Sequence, residues 1–205
     1  HEDYTLFSRL LARGVTPTVS GRITNTIGKK PVQQWNTVAE IKGTEWPDQV
    51  VILGAHLDSW DLGTGTTDNA TGSMVVMEAA RAIMQSGLKP KRTMRFILFS
   101  GEEEGLLGSV AYAAKHAADL NNVQAVLVLD NGTGMITGQA LQGRNQDAQL
   151  WQDLLAPVAS LGASKVREAN KGGTDHLAFT PYGVPAWNFD QETRGYNHTH
   201  HSQID

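Results

Sequence analysis

The chain has 205 residues, of which 40% are hydrophobic and 19% are charged, and its formal net charge is -4. This length and apolar content predict one sizeable folded domain and argue against a disordered chain. The negative net charge argues against a basic surface that would bind nucleic acid. No apolar run reaches the roughly 18 residues of a membrane span. Because the chain contains no cysteine, a metal site would rest on histidine and carboxylate ligands.

The first thirty residues differ in pattern from the rest of the chain. A helical apolar stripe at residues 6–11, stopped by Gly14, predicts a short amphipathic helix. Alternation over residues 15–27 predicts a strand. These elements bring too little apolar surface to form a core alone. We therefore expect residues 1–30 to be the remnant of a preceding domain and residues 31–205 to form the main domain.

The main domain is organised around residues 50–72, VVILGAHLDSWDLGTGTTDNATG, which predict a strand, a loop and the start of a helix. The apolar, β-branched beginning is typical of a strand buried on both faces. His56 and Asp58 follow two positions apart, so His56 is suited to metal binding and Asp58 to orienting its ring. A glycine-rich turn then leads to Asp68, and an apolar helix is predicted over residues 70–86.

Two further buried-strand patterns also end in acidic residues. Residues 94–99 are followed by Glu102 and Glu103, and residues 123–129 are followed by Asp130. Taken singly, such residues are more often structural, for example as helix N-caps. In an open α/β sheet, however, ligands bind outside the carboxyl ends of the strands. The recurrence at three strand ends therefore favours a functional site at one edge of the sheet.

The other predicted elements alternate between strand and helix. They are strands at 35–41 and 183–189, helices at 106–120 and 147–161, and a short helix within 171–179. Pro157 should kink or divide the helix in which it lies. The methionines of the 70–86 helix are expected to pack in the core. This alternation predicts a largely parallel sheet between layers of helices.

Six motifs, in order and spacing, resemble the di-zinc aminopeptidase family and most closely its carboxypeptidase Q branch. They are His56-Leu57-Asp58, Asp68-Asn69, Gly101 to Gly105, Asp130, Gly173-Thr174-Asp175 and His201 to Asp205. The phrases NTVAEI, HLDSWD and PKRT point to that branch. The resemblance runs from about residue 36 to the end of the chain. It implies a three-layer αβα sandwich around a mixed, mostly parallel sheet, the zinc peptidase (phosphorylase/hydrolase-like) fold.

The resemblance implies a site for two zinc ions. The implied ligands are His56 and Glu103 for one zinc, Asp130 and His201 for the other, and Asp68 as the bridge between them. His201 is chosen over His198 and His200 because the family ligand precedes an aspartate by four residues, and Asp205 supplies that aspartate.

The resemblance also implies roles for residues that do not bind metal. Glu102 would be the general base, and Asp58 would fix the tautomer of His56. The candidates for substrate binding, which lie near the ligands in sequence, are Tyr196, His200, Asp175 and His176. The candidates for the donor that stabilises the oxyanion are Tyr182, Tyr196, His200 and His176, and nothing in the sequence ranks these four.

The implied activity is that of an exopeptidase, an aminopeptidase or a dipeptidase, acting on peptides with a free N-terminus. A ligand set with a neighbouring carboxylate base suits peptide hydrolysis by an activated water. One alternative is a single-zinc glutaminyl cyclase-like enzyme, which shares this fold. Another is a non-catalytic peptidase-like ectodomain, which the intact ligand set disfavours. Two, one or no zinc ions per chain would separate the three.

Three Asn-x-Thr sequons begin at Asn69, Asn131 and Asn197, beside or close to implied ligands. A glycan at these positions would crowd the site. We therefore expect a chain that did not evolve under eukaryotic N-glycosylation, and an exported bacterial enzyme of the periplasm or the extracellular space. The alternative is that these sequons are buried and escape modification in any organism. The N-terminus lacks a signal-peptide pattern, so we expect an export signal to have been removed.

The family continues beyond the final aspartate with a helix that packs on the sheet, and we expect this chain to lack that helix. Residues 1–30 resemble the tail of the protease-associated domain that is inserted in the carboxypeptidase Q branch. Missing a helix at one end and part of a domain at the other should expose apolar surface. Marginal stability or association, such as a homodimer, is the expected consequence.

Overall fold

The structure is a computed structural model that describes residues 2–205. The chain forms two compact units, one up to Gln33 and one from Gln34 to Asp205. In the first unit, helix α1 spans Glu2–Ala12, as its apolar stripe predicts. The strand predicted over residues 15–27 is wrong, because this segment contains no regular structure. Its Ile23 and Ile27 are almost fully exposed, so the alternation has neither a partner strand nor a core to cover.

The second unit is built on a seven-stranded mixed sheet. Its strands are β1 Thr37–Ile41, β2 Trp46–His56, β3 Arg92–Phe99, β4 Val123–Val128, β5 Ile136–Ala140, β6 Lys165–Arg167 and β7 Ala186–Gln191. They lie in the order β1-β3-β2-β4-β7-β5-β6. The central strands β3, β2, β4 and β7 are parallel, whereas β1 and β5 run antiparallel to their neighbours β3 and β7. The predicted mixed, mostly parallel sheet is therefore confirmed.

Helices cover both faces of this sheet. The long ones are α2 Thr71–Ser86, α3 Leu107–Lys115 and α4 Ala148–Leu155. Val126 of β4 packs in a cluster with Tyr112 of α3, whereas its neighbour Leu127 packs against a cluster that contains Trp151 of α4. Leu53 of β2, which is paired with Leu127, packs against the α2 cluster. Because successive side chains of a strand point to opposite faces, α2 and α4 cover one face and α3 covers the other.

Two predicted helices end earlier than their sequence patterns do. The 106–120 pattern forms α3 and then a 3-10 turn, Ala117–Asn122. The 147–161 pattern is divided as predicted, because α4 ends at Leu155 and a 3-10 turn that contains Pro157 follows it. Proline removes a backbone donor and clashes with the preceding turn. In residues 2–205, no helix is long and apolar enough to cross a membrane.

The expected burial of the α2 methionines is wrong. Met74 is 61% exposed and Met84 is 71% exposed. Helix α2 packs on the sheet through Val76, Ala79, Ala80 and Ile83, so its methionines lie on the outer side. Large apolar side chains of α4 are also exposed.

Candidate active site

The carboxyl ends of β2, β3 and β4 meet at one edge of the sheet, as the sequence predicts. His56, the last residue of β2, is paired with Phe99 at the end of β3. Two residues before His56, Gly54 is paired with Val128 at the end of β4. The segments that follow β3 and β4 therefore leave the sheet beside His56. They carry the acidic residues Glu102, Glu103 and Asp130.

His56 is buried between two carboxylates. Its Nε2 atom lies 3.1 Å from Oδ1 of Asp68 and 3.2 Å from Oδ1 of Asp130. Its Nδ1 atom lies 3.0 Å from the backbone carbonyl oxygen of Asp58. An Nδ1–H that donates to this carbonyl leaves Nε2 to face the carboxylates. A protonated Nε2 donates to them, and loss of that proton frees the lone pair that a metal-binding histidine requires.

Asp58 takes part in this arrangement by a different route from the one expected. Its carboxylate oxygen Oδ1 lies 3.7 Å from Nδ1 of His56, which is too long for a hydrogen bond. The backbone carbonyl of Asp58 makes the orienting contact instead. The Asp58 carboxylate accepts a hydrogen bond from the backbone N–H of Glu103 at 3.1 Å. Asp58 therefore connects the loop after β2 to the loop after β3.

A second histidine lies on the other side of Asp68. The Nε2 atom of His201 lies 2.9 Å from Oε2 of Glu103 and 3.4 Å from Oδ2 of Asp68. His200 lies 3.5 Å from the same Asp68 oxygen, and its ring stacks on that of His201 at 3.6 Å. The two oxygens of Asp68 thus face different histidines, Oδ1 facing His56 and Oδ2 facing His201.

The shortest contacts pair the ligands differently from the resemblance. His56 is closer to Asp130 than to any other carboxylate except Asp68, and His201 is closest to Glu103. The implied pairing of His56 with Glu103, and of Asp130 with His201, is therefore not the one these contacts favour. Sequence order carries no information about which strand ends lie nearest each other.

The site holds more acidic groups than cations. Burial and the Asp130 carboxylate raise the pKa of Glu102 to about 8, and burial and the Asp68 carboxylate raise that of Glu103 to about 7. Burial alone would lower the pKa of His56, but its hydrogen bonds with Asp130 and Asp68 raise it to about 12. Neighbouring carboxylates have raised pKa values when too few positive charges lie nearby to stabilise their ionised forms. The raised values therefore indicate that this site would be stabilised by a cation.

The donor set fits divalent metal ions. Three overlapping groups place their ligand atoms within 4.8 Å of one another: His56, Asp68 and Glu103; His56, Glu102 and Asp130; and Asp68, His200 and His201. In addition, Oε1 of Glu103 is buried without a hydrogen-bond partner. Buried carboxylate oxygens need a partner, and imidazole with carboxylate is a set that zinc accepts.

The site opens into a cleft of about 480 Å³. Besides the metal-ligand candidates, its lining includes Trp60, Leu106, Gly172, Gly173, Tyr196 and His200. Burial and the carboxylates of Asp130 and Asp68 raise the pKa of Tyr196, so its phenol remains a hydrogen-bond donor. Tyr196 and His200 are thus where substrate-binding residues should be. The sequence analysis did not predict Trp60 as a cleft residue. Its position in the loop between His56 and Asp68 could have indicated that it lies near the site.

Asp175 and His176 were predicted as candidates for substrate binding, and the structure contradicts direct contact. Both residues are 0% exposed. They begin a 3-10 turn, Asp175–Ala178, whose Ala178 belongs to the core cluster on the α3 face. Thr174 lines the cleft, and the chain turns into the interior immediately after it. Closeness in sequence to a cleft residue therefore did not indicate exposure.

Fold and site together define the class of protein. The sequence model of Peptidase family M28 matches residues 36–205. The chain therefore belongs to this family. It is 32% identical to carboxypeptidase Q of Xenopus laevis over 204 residues, covering 100% of this chain and 43% of that protein. The chain therefore spans less than half the length of the relatives it matches.

Solved structures agree with this assignment. The peptidase M28 precursor of Shewanella amazonensis is 30% identical, with a TM-score of 0.81, over 98% of this chain and 45% of that one. A zinc aminopeptidase of Bacillus subtilis is 26% identical, with a TM-score of 0.64, over 76% of this chain and 39% of that one. The predicted resemblance and fold class are confirmed.

Proposed function

We propose that this chain is the catalytic part of a metal-dependent exopeptidase, an aminopeptidase or a dipeptidase that uses two zinc ions. One observation carries the proposal: the two carboxylate oxygens of Asp68 face two different histidines, His56 and His201. Each histidine has a second carboxylate beside it. A shared carboxylate between two such pairs suits two metal ions better than one.

The residues for each metal follow from the contacts. His56 and Asp130 would hold one zinc, Glu103 and His201 would hold the other, and Asp68 would be shared. When bound, zinc polarises the carbonyl of the scissile bond and lowers the pKa of a water. The similar structure from Bacillus subtilis is that of a zinc aminopeptidase, which supports the choice of metal.

Glu102 is proposed as the general base. It lines the cleft and is buried, and burial and the neighbouring Asp130 raise its pKa to about 8. It would take a proton from the attacking water and then give that proton to the leaving amine as the peptide bond breaks. Its neighbour Glu103 contacts His201 at 2.9 Å and is better placed as a ligand.

The cleft also suits a peptide with a free N-terminus. A substrate ammonium would find carboxylates at the metal site, and Trp60 and Leu106 offer apolar surface for a side chain. Tyr196, which keeps its proton, and His200 are the proposed hydrogen-bond donors to the reacting carbonyl. These donors would stabilise the negative charge that develops on the carbonyl oxygen.

A substrate panel tests the proposal. The full-length protein would be assayed on dipeptides and aminoacyl-anilides, with and without a chelator, and its zinc content measured. We expect hydrolysis that chelation abolishes and added zinc restores. Hydrolysis that survives complete metal removal would defeat the mechanism. One zinc per chain, with cyclisation of N-terminal glutamine, would favour the cyclase alternative, and no zinc with no activity would favour the ectodomain.

We also propose that the protein is exported in a bacterium. The sequon residue Asn69 is buried, and its side-chain amide donates to the carbonyl of Leu129 at 2.9 Å. A glycan on that nitrogen would be incompatible with the folded site. Mass spectrometry of the native protein should find Asn69 unmodified, and a glycan there would remove the argument.

A further inference from the structure

Asp205 is a buried carboxylate that contacts the backbone of the metal site. Its residue is only 9% exposed. Its Oδ1 atom accepts a hydrogen bond from the N–H of Thr67 at 2.6 Å, and its Oδ2 atom accepts one from the N–H of Asp68 at 3.2 Å. Asp205 therefore uses both oxygens on the segment that carries the central carboxylate of the site.

The backbone at Asp68 depends on such contacts for its shape. In the turn Thr66–Ala70, Asp68 and Asn69 have non-helical backbone angles, with φ of -124° and ψ of 90° at Asp68. A regular ladder of helical hydrogen bonds cannot fix this conformation. Hydrogen bonds from outside the turn, of which Asp205 makes two, take its place.

Asp205 lies at the same time in the segment that carries His201. The backbone N–H of Asp205 donates to the carbonyl of Ser202, next to His201. The segment also lies close to the loop after β2, because a Cβ added to Gly63 would come within 2.7 Å of the Ser202 carbonyl oxygen. Thr64 adds a hydrogen bond from its hydroxyl to the Asp205 carbonyl at 2.7 Å.

We propose that Asp205 is a positioning residue that holds Asp68 and His201 in the mutual arrangement that metal binding requires. The inference rests on the proposed two-zinc function. Asp205 does not itself face the metals. It orients a candidate ligand through that ligand's own backbone, and it belongs to the segment that supplies a second candidate ligand. Loss of the Asp205 carboxylate should therefore lower zinc affinity more than it lowers the stability of the metal-free fold.

The test is Asp205→Asn in the full-length protein. The amide keeps one acceptor but turns an NH2 group toward one of the two backbone N–H groups. We expect zinc affinity, measured by chelator competition, to fall by roughly 10-fold to 100-fold, as for other residues that orient ligands. Saturating zinc should restore most of kcat. The matched control is Asp61→Asn, which removes an exposed carboxylate from the loop after β2 and should leave zinc affinity unchanged.

The opposite result is equally clear. Wild-type zinc affinity in Asp205→Asn, with a lower unfolding temperature of the metal-free protein, would overturn the positioning role. If Asp205→Asn does not fold, Asp205→Ser removes the carboxylate and keeps a single acceptor without turning an NH2 group toward a backbone N–H, and unchanged zinc affinity in that variant would overturn the inference. A wild-type protein that binds no zinc would instead contradict the proposed function.

Discussion

Glu102 and Glu103 are adjacent in sequence but have different neighbours in the fold. Glu103 lies 2.9 Å from His201, and its backbone N–H is bound by Asp58. Glu102 lines the cleft beside Asp130 and His56. Sequence order alone does not distinguish the base from the ligand. The family resemblance implies the two roles, and the contacts of Glu103 with His201 and Asp58 favour the same assignment.

Substitution with glutamine should separate the two roles. Glu102→Gln keeps the shape but cannot take a proton, so both metals should stay bound while kcat falls by roughly 10² to 10⁴. Glu103→Gln should weaken one metal, because a neutral amide is a poor zinc ligand. Zinc content and kcat would be measured for both variants. Full activity in Glu102→Gln, or metal loss there and not in Glu103→Gln, would reverse the assignment.

Protons and zinc compete for His56 and Glu103, so zinc affinity should depend on pH. The hydrogen bonds that His56 donates to Asp130 and Asp68 raise its pKa to about 12 against the opposing effect of burial, and burial raises the pKa of Glu103 to about 7. Below these values each group holds a proton that zinc must displace. Zinc affinity should therefore increase with pH between roughly 6 and 8, and loading should release protons into a weakly buffered solution. A pH-independent affinity without proton release would contradict these pKa shifts.

At the scale of elements, the sequence predicted the long strands that end in candidate site residues, β2, β3 and β4. It did not predict the short strands β5 and β6. Strands β2, β3 and β4 have apolar runs that span most of their length. Strands β5 and β6 were not predicted, because ITGQA and KVR carry no such run and depend on pairing with each other and with β7. Residues 15–27 show the opposite error, a predicted strand that does not form. Their apolar and polar residues alternate, but no neighbouring strand pairs with them.

One wall of the cleft depends on a contact between loops. Gln142 follows β5, and its side-chain amide binds the backbone of Lys171 twice, accepting from its N–H at 2.8 Å and donating to its carbonyl at 2.7 Å. Lys171 directly precedes Gly172 and Gly173, which line the cleft. Glycines restrict the backbone little, so the Gln142 contact helps to fix this wall, together with the bond from Lys171 Nζ to the Phe189 carbonyl at 2.6 Å.

Gln142→Ala should therefore loosen substrate binding more than chemistry. We expect KM for good substrates to rise severalfold with a smaller change in kcat, since the metal ligands lie on other segments. Gln149→Ala, which removes an exposed amide on α4 that donates to Asp153, is the control. Steady-state kinetics of the two variants would decide, and a kcat loss without a KM change would argue against the loop's role.

At the scale of the whole molecule, the metal site joins segments distant in sequence. His56, Asp68, Asp130 and His201 come from β2, the turn before α2, the end of β4 and the C-terminal segment. Without a cation, their carboxylates are held together against mutual repulsion. Metal binding should therefore stabilise the fold as well as the site.

Chelation should lower the unfolding temperature of the protein. A ligand that binds only the folded state at 100 times its Kd adds about 2.7 kcal/mol, which corresponds to roughly 5 to 11 °C for a domain of this size. Differential scanning calorimetry with and without chelator would measure the shift, and zinc should reverse it. An unfolding temperature that is the same in both conditions would mean that the acidic cluster holds no stabilising cation.

The central claim is that two metals share Asp68 between a His56–Asp130 pair and a Glu103–His201 pair. Anomalous diffraction at the zinc edge, from crystals of the zinc-loaded full-length protein, tests this most directly. The account predicts two peaks at coordination distances of roughly 2.0–2.2 Å, one from His56 and Asp130 and the other from Glu103 and His201, with Asp68 bound to both. A single peak, or two peaks with the histidines and carboxylates paired otherwise, would contradict it.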